Sequence, residues 1–135
     1  MGSNREIVQM RRQIQLAPKD NIKVNSILAS RSALAKHSIS LSYLINKWDH
    51  FIKKVEEGYR LTIDDYTNEL SIRDLLQEIL EVIPNNTELE KWIEELDNRF
   101  IFITKKVDIP LLPLMKRSEI GWWWFRIPLK PGLVL

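Results

Sequence analysis

The residues best suited to bind a metal ion or to transfer protons are the carboxylates around position 65. Asp64, Asp65 and Glu69 form the densest acidic group of the chain, and helical spacing places Asp65 and Glu69 on one face. Oxygen ligands in this arrangement suit a hard cation or an acid–base site. However, nothing resembling a calcium-binding loop surrounds them, and Thr62 with Asp65 is typical of a capping box at a helix start. The sequence favours a helix cap, with an enzyme using Asp64, Asp65 and Tyr66 as a second alternative.

Other kinds of catalytic chemistry are restricted by residue counts. His37 and His50 are the only histidines, and their spacing is not one used for zinc. Because there is no cysteine, a disulfide, a thiolate metal site and a cysteine nucleophile are excluded. Four glycines cannot build a glycine-rich phosphate loop, and no serine stands in a Gly-x-Ser-x-Gly setting. We therefore predict no catalytic residue, no metal ligand and no cofactor.

The run Trp122, Trp123, Trp124, Phe125 and Arg126 is the most unusual stretch of the sequence. In an extended segment Trp122 and Trp124 point to one side and Trp123 and Phe125 to the other, so both faces are aromatic. Trp and Arg are enriched at interface hot spots, and these five residues are our candidate partner-binding residues. The partner is expected to be another protein or a second copy of the chain. Packing of both faces against the helices and the tail is the more usual arrangement for such a run, and stacking on nucleobases or sugars is a further alternative.

Hydrophobic periodicity predicts the helices that position these residues. One apolar stripe covers 38–57 and stops before Gly58, which suits a left-handed cap. Two more stripes, over 63–83 and 89–103, flank Pro84 and predict a helical hairpin, with Thr87 and Glu90 as the capping box of its second helix. A Ser- and Ala-rich helix is expected from residue 26, after a turn at 17–21. Whether 26–57 forms one helix or two stays open.

These elements predict a mainly α protein: a three- to four-helix bundle with an extended aromatic C-terminal arm or short strand. The 135 residues are expected to form one domain, with an N-terminal segment over 1–25, a helical core over 26–106 and a Pro/Trp-rich arm over 107–135. No stretch is apolar enough for a membrane span, and the first 20 residues are too charged for a signal peptide. We therefore expect a cytoplasmic protein with no membrane partner.

Charge is distributed unevenly along the chain, although the net charge is only +2. Residues 1–60 carry eleven Lys or Arg against five Asp or Glu, residues 61–100 carry three against eleven, and residues 101–135 carry six against two. Compensation within the molecule is the usual outcome, but a basic N-terminal half with Arg11, Arg12, Lys53 and Lys54 also suits nucleic acid. The leading hypothesis is a non-enzymatic protein–protein interaction or regulatory module, and the alternative is a nucleic-acid-binding protein.

Overall fold

The computed structural model describes residues 14–35, 40–58, 60, 62–111 and 120–130, and these residues are mainly helical. They include four α-helices: α1 (Pro18–Ala35), α2 (Leu41–Glu57), α3 (Ile63–Val82) and α4 (Thr87–Phe102). Strand β1 (Thr104–Lys106) pairs antiparallel with β2 (Arg126–Pro128), and one turn of 3₁₀ helix (Trp122–Phe125), here named the aromatic turn, leads into β2. The predicted helical bundle with a short C-terminal strand is confirmed.

Local capping contacts determine the ends of α2 and the start of α3. The Ser40 side chain accepts a hydrogen bond from the backbone N–H three residues later, at the start of α2. Gly58 follows α2 with a φ of 104°, in the left-handed region that glycine adopts without strain. Thr62 and Asp65 form the predicted capping box of α3. The Gly58 cap and the Thr62–Asp65 capping box were expected from sequence, because each depends on residues only a few positions apart; the Ser40 cap was not predicted, since this helix was expected to start at residue 38.

Two helix starts differ from the predictions. Helix α1 begins at Pro18, so the expected turn at 17–21 and the expected helix start at residue 26 are wrong; proline is favoured in a first turn because its missing N–H would have no acceptor there. Helix α4 is capped by Asn86, whose side chain accepts from the N–H of Leu89 at 3.0 Å, and Thr87 is its first residue. The region 26–57 is divided between two helices, α1 and α2.

An aromatic cluster lies where α2, α3 and α4 meet. Trp48 and Phe51 of α2, Tyr66 of α3 and Phe100 of α4 are buried, and their neighbouring ring centroids are 5.0 to 5.8 Å apart. Such ring pairs contribute about 0.5–1.5 kcal/mol each beyond the burial of their area. The Tyr66 hydroxyl also donates to the carbonyl of Arg126 at 2.7 Å, so the core connects directly to β2.

Candidate partner-binding site

The five predicted partner-binding residues lie in the aromatic turn and at the first position of β2. The backbone N–H of Trp124 donates to the Gly121 carbonyl at 3.1 Å and closes the turn. The expected alternation of an extended run is therefore wrong: Trp123 and Trp124 are both buried, whereas Trp122 is 37% exposed. Adjacent side chains of a 3₁₀ helix point about 120° apart instead of about 180° apart, so two consecutive indoles can enter the interior together.

Gly121 permits this turn by allowing a close approach. A Cβ atom added at this position would overlap the ring of Trp123, so a side chain here would require that ring to move. The indole of Trp123 therefore packs directly over the backbone of Gly121.

Both buried indoles donate to one carboxylate of α3. The Nε1 atoms of Trp123 and Trp124 each lie 2.9 Å from Oδ1 of Asp74. The guanidinium carbon of Arg73 lies 4.4 Å from the centroid of the Trp123 ring, within the range of a cation–π interaction. Buried indole N–H groups need acceptors, and Asp74 is the acceptor for both. Asp74 and the preceding residue, Arg73, therefore hold the aromatic turn on α3.

A buried ion pair behind the aromatic turn joins three helices. Arg73 of α3 donates to Asp97 of α4 from Nε to Oδ1 at 3.0 Å and to Oδ2 at 3.2 Å, and from Nη2 to Oδ2 at 2.8 Å. Trp48 of α2 donates to Oδ1 at 3.1 Å. Burial raises the pKa of Asp97, while Arg73 and Trp48 act in the opposite direction. Since Arg73 and Asp97 are both buried, these contacts serve the interior of the bundle.

Arg126, the fifth candidate, directs its donors into the molecule. Its Nε donates to Oγ1 of Thr104 at 2.7 Å, and its Nη2 donates to the carbonyls of Thr104 at 2.9 Å and Ile101 at 3.2 Å. These bonds use the Ile101 carbonyl in the last turn of α4, where a cation is also favoured by the helix dipole, and the Thr104 carbonyl of β1. Arg126 therefore attaches β2 to the end of α4.

Trp122 lies at the edge of a groove of about 900 Å³ between the aromatic turn and α3. Its ring stands edge-on to Trp123, with centroids 5.6 Å apart, and its centroid is 6.2 Å from that of Phe100. Among the described residues that line the groove there is no Lys or Arg; they are Ser71, Asp74, Leu75, Gln77, Glu78, Glu81, Ile120, Gly121, Trp122 and Trp123. An aromatic wall with convergent polar groups in a concave surface is typical of a binding site.

The acidic group around position 65 is used for helix capping. The Asp65 carboxylate accepts hydrogen bonds from the backbone N–H of Thr62 at 3.3 Å and from its hydroxyl at 2.9 Å. Asp64 and Asp65 are exposed in the first turn of α3, where they favour the positive end of the helix dipole, and neither lines the groove. Within the described ranges, no group of three or more acidic or histidine side chains could hold a metal ion.

The basic residues suggested for nucleic-acid binding are only partly described. Arg11 and Arg12 lie outside the described residues. On α2, Lys53 lies 3.8 Å from Asp49, which also accepts a hydrogen bond from Arg99 of α4 at 2.9 Å. Lys53 therefore shares the Asp49 carboxylate with Arg99.

Sequence reasoning missed Asp74 and the Arg73–Asp97 pair. A signal for the pair was present in the sequence. Arg73 lies on the same apolar stripe of α3 as the buried Leu70 and Leu76, and Asp97 lies on the apolar stripe of α4 with the buried Ile93 and Phe100. Opposite charges on two apolar stripes indicate a buried ion pair. Asp74 gave no comparable signal, since its two donors come from a distant part of the chain.

No helix in the described part of the chain has both the length and the hydropathy needed to cross a membrane. Comparison of the chain with protein-family models, with curated proteins and with solved structures found no match.

Proposed function

We propose that this chain is a non-enzymatic protein-interaction module, which holds a basic segment of a partner protein in the groove between the aromatic turn and α3. The proposal is carried by one observation: the groove combines the partly exposed indole of Trp122 with the exposed carboxylate of Glu81, and its described lining residues include no Lys or Arg. The partner in this proposal is a protein and not a membrane. A cytoplasmic location is part of the same proposal and is supported by the absence of cysteine.

A lysine or arginine side chain suits both parts of the groove. Its charged end pairs with the carboxylate of Glu81, while its stem or guanidinium plane packs on the indole of Trp122. Leu75 and Ile120 offer apolar contacts to a neighbouring side chain of the same segment. Because Asp74 already fixes the indole of Trp123, the groove wall loses little conformational freedom on binding, which favours affinity.

Fluorescence anisotropy with a labelled peptide that carries lysine, arginine and one phenylalanine tests this proposal. We expect binding that weakens as salt is added, and no binding of a counterpart peptide in which every cation is replaced by glutamate. Trp122→Ser removes the exposed indole and Glu81→Gln removes one groove charge. Each change is expected to weaken binding by about tenfold.

Glu90→Gln is the matched control, because Glu90 is an exposed carboxylate of α4 that does not line the groove. This variant should bind the cationic peptide as the wild type does, and circular dichroism should show unchanged helix content in all variants. Equal binding of the two peptides, or equal losses in Glu81→Gln and Glu90→Gln, would contradict the proposal. Tighter binding of a single-stranded oligonucleotide than of the cationic peptide would favour the nucleic-acid alternative.

A further inference from the structure

A row of polar side chains along α3 connects the buried ion pair to the groove. Arg73, Gln77 and Glu81 follow one another at intervals of four residues, so the helix places them on one face. Nη1 of Arg73 donates to Oε1 of Gln77 at 3.1 Å, and Nε2 of Gln77 donates to Oε1 of Glu81 at 3.4 Å. Gln77 and Glu81 line the groove, whereas Arg73 is buried. Gln77 therefore links an interior cation to a carboxylate of the groove.

The orientation of the Gln77 amide follows from its two neighbours. Arginine has donors and no acceptor, so the amide oxygen must face Arg73 and the NH₂ group must face Glu81. Arg73 is itself held by Asp97 through Nε and Nη2, which fixes the inner end of the row. The bond from a cation also polarises the amide and strengthens its N–H donors. Because the amide is neutral, Gln77 orients the Glu81 carboxylate without cancelling its charge.

The two carboxylate oxygens of Glu81 differ in what they contact. Oε1 accepts from Gln77, and no residue in the described ranges donates to Oε2. Arginine binds a carboxylate most strongly through two parallel N–H bonds that use both oxygens, so an arginine in the groove would have to share Oε1 with Gln77. The ammonium group of lysine is a point charge that one oxygen can bind. The indole of Trp122 can pack against the stem of either side chain, so the carboxylate decides between them.

We propose that the cation held in the groove is a lysine side chain, and that Gln77 is the positioning residue that selects lysine over arginine. This inference rests on the proposed function and names the side chain that the partner presents. The lysine stem packs on the indole of Trp122, and its ammonium group binds Oε2 of Glu81. Leu75 and Ile120 line the same groove and receive an apolar neighbour of the lysine.

Two forms of the labelled cationic peptide, one with lysine and one with arginine at every cationic position, test this inference by fluorescence anisotropy. The wild type is expected to bind the lysine form about fivefold more tightly. Gln77→Met keeps the length of the side chain but removes the amide, so both oxygens of Glu81 become available to arginine. The preference for lysine should therefore disappear or reverse in this variant. A purely structural role of Gln77 would instead weaken the binding of both forms by the same factor.

Asn68→Leu is the matched control, because it removes an exposed amide of α3 that does not line the groove. It should keep the preference of the wild type, and circular dichroism should show unchanged helix content in both variants. Equal or tighter binding of the arginine form by the wild type, or a preference for lysine that persists in Gln77→Met, would overturn the inference while the proposed function stands. If the wild type binds neither form, both proposals are wrong.

Discussion

Asp97 and Asp74 both accept hydrogen bonds from indole groups, yet they hold together different parts of the molecule. Asp97 connects Trp48 of α2 and Arg73 of α3 to α4 and is buried, whereas Asp74 connects the aromatic turn to α3 and is half-buried. The bundle and the groove wall are thus held by separate carboxylates. The two are linked through Arg73, which binds Asp97 and directly precedes Asp74 in α3. We expect changes at Asp97 to act on the whole fold and changes at Asp74 to act on the groove.

The largest effect is expected for Asp97→Leu. The substitution leaves the buried guanidinium of Arg73 without its carboxylate and should lower the free energy of unfolding by about 3–5 kcal/mol. Urea denaturation at pH 7 measures this loss. The double variant Arg73→Met and Asp97→Leu has no unpaired charge and should be more stable than Asp97→Leu alone. A double variant of equal or lower stability would show that packing, and not the lost charge pair, accounts for the effect.

Asp74→Ala should have a smaller and more local effect. The indole N–H groups of Trp123 and Trp124 lose their common acceptor, which should cost about 2–4 kcal/mol. The cost is expected to appear as opening of the aromatic turn, so the two indole N–H signals shift in NMR spectra and exchange faster with solvent. Asp74→Asn retains a carbonyl oxygen and should keep most of the contact. Faster exchange throughout α2 and α4 in Asp74→Ala would contradict the separation between the two carboxylates.

Gly121→Ala sharpens the same comparison without changing either carboxylate. The added methyl group would meet the ring of Trp123, and the displaced indole should reduce stability by about 1–3 kcal/mol. The indole N–H signal of Trp123 should move, because its bond to Asp74 is strained or lost, while the Trp48 indole signal should not. Unchanged Trp123 signals would mean that the aromatic turn can adjust around a side chain at this position.

The helices could be predicted from sequence because apolar stripes and caps such as Thr62 with Asp65 depend on residues close together in the chain. The aromatic turn could not. Tryptophan and phenylalanine favour strands locally, and the turn depends on Asp74, 50 residues before Trp124. Composition alone identified the run as a candidate site, but which indole stays exposed depends on that long-range acceptor and on the space above Gly121. Local patterns carry no information about either.

The smallest effect is expected in the pH dependence of stability, because opposing influences act on Asp97. Burial raises its pKa above the ordinary value of 3.8, while Arg73 and Trp48 partly offset this increase. Between the pKa of the unfolded chain and the higher pKa of the folded chain, the folded state binds more protons than the unfolded state. The contribution of Asp97 to the free energy of unfolding therefore decreases as pH rises through this window.

Asp97→Asn has no titrating group at this position, so the wild type should lose stability relative to this variant as the pH is raised from about 4. Urea denaturation of both proteins across the window, with NMR titration of the Asp97 carboxyl group, measures the difference. If the wild type instead gains stability relative to Asp97→Asn, the guanidinium of Arg73 outweighs the cost of burial. Attraction between the two charges would then stabilise the junction of the three helices.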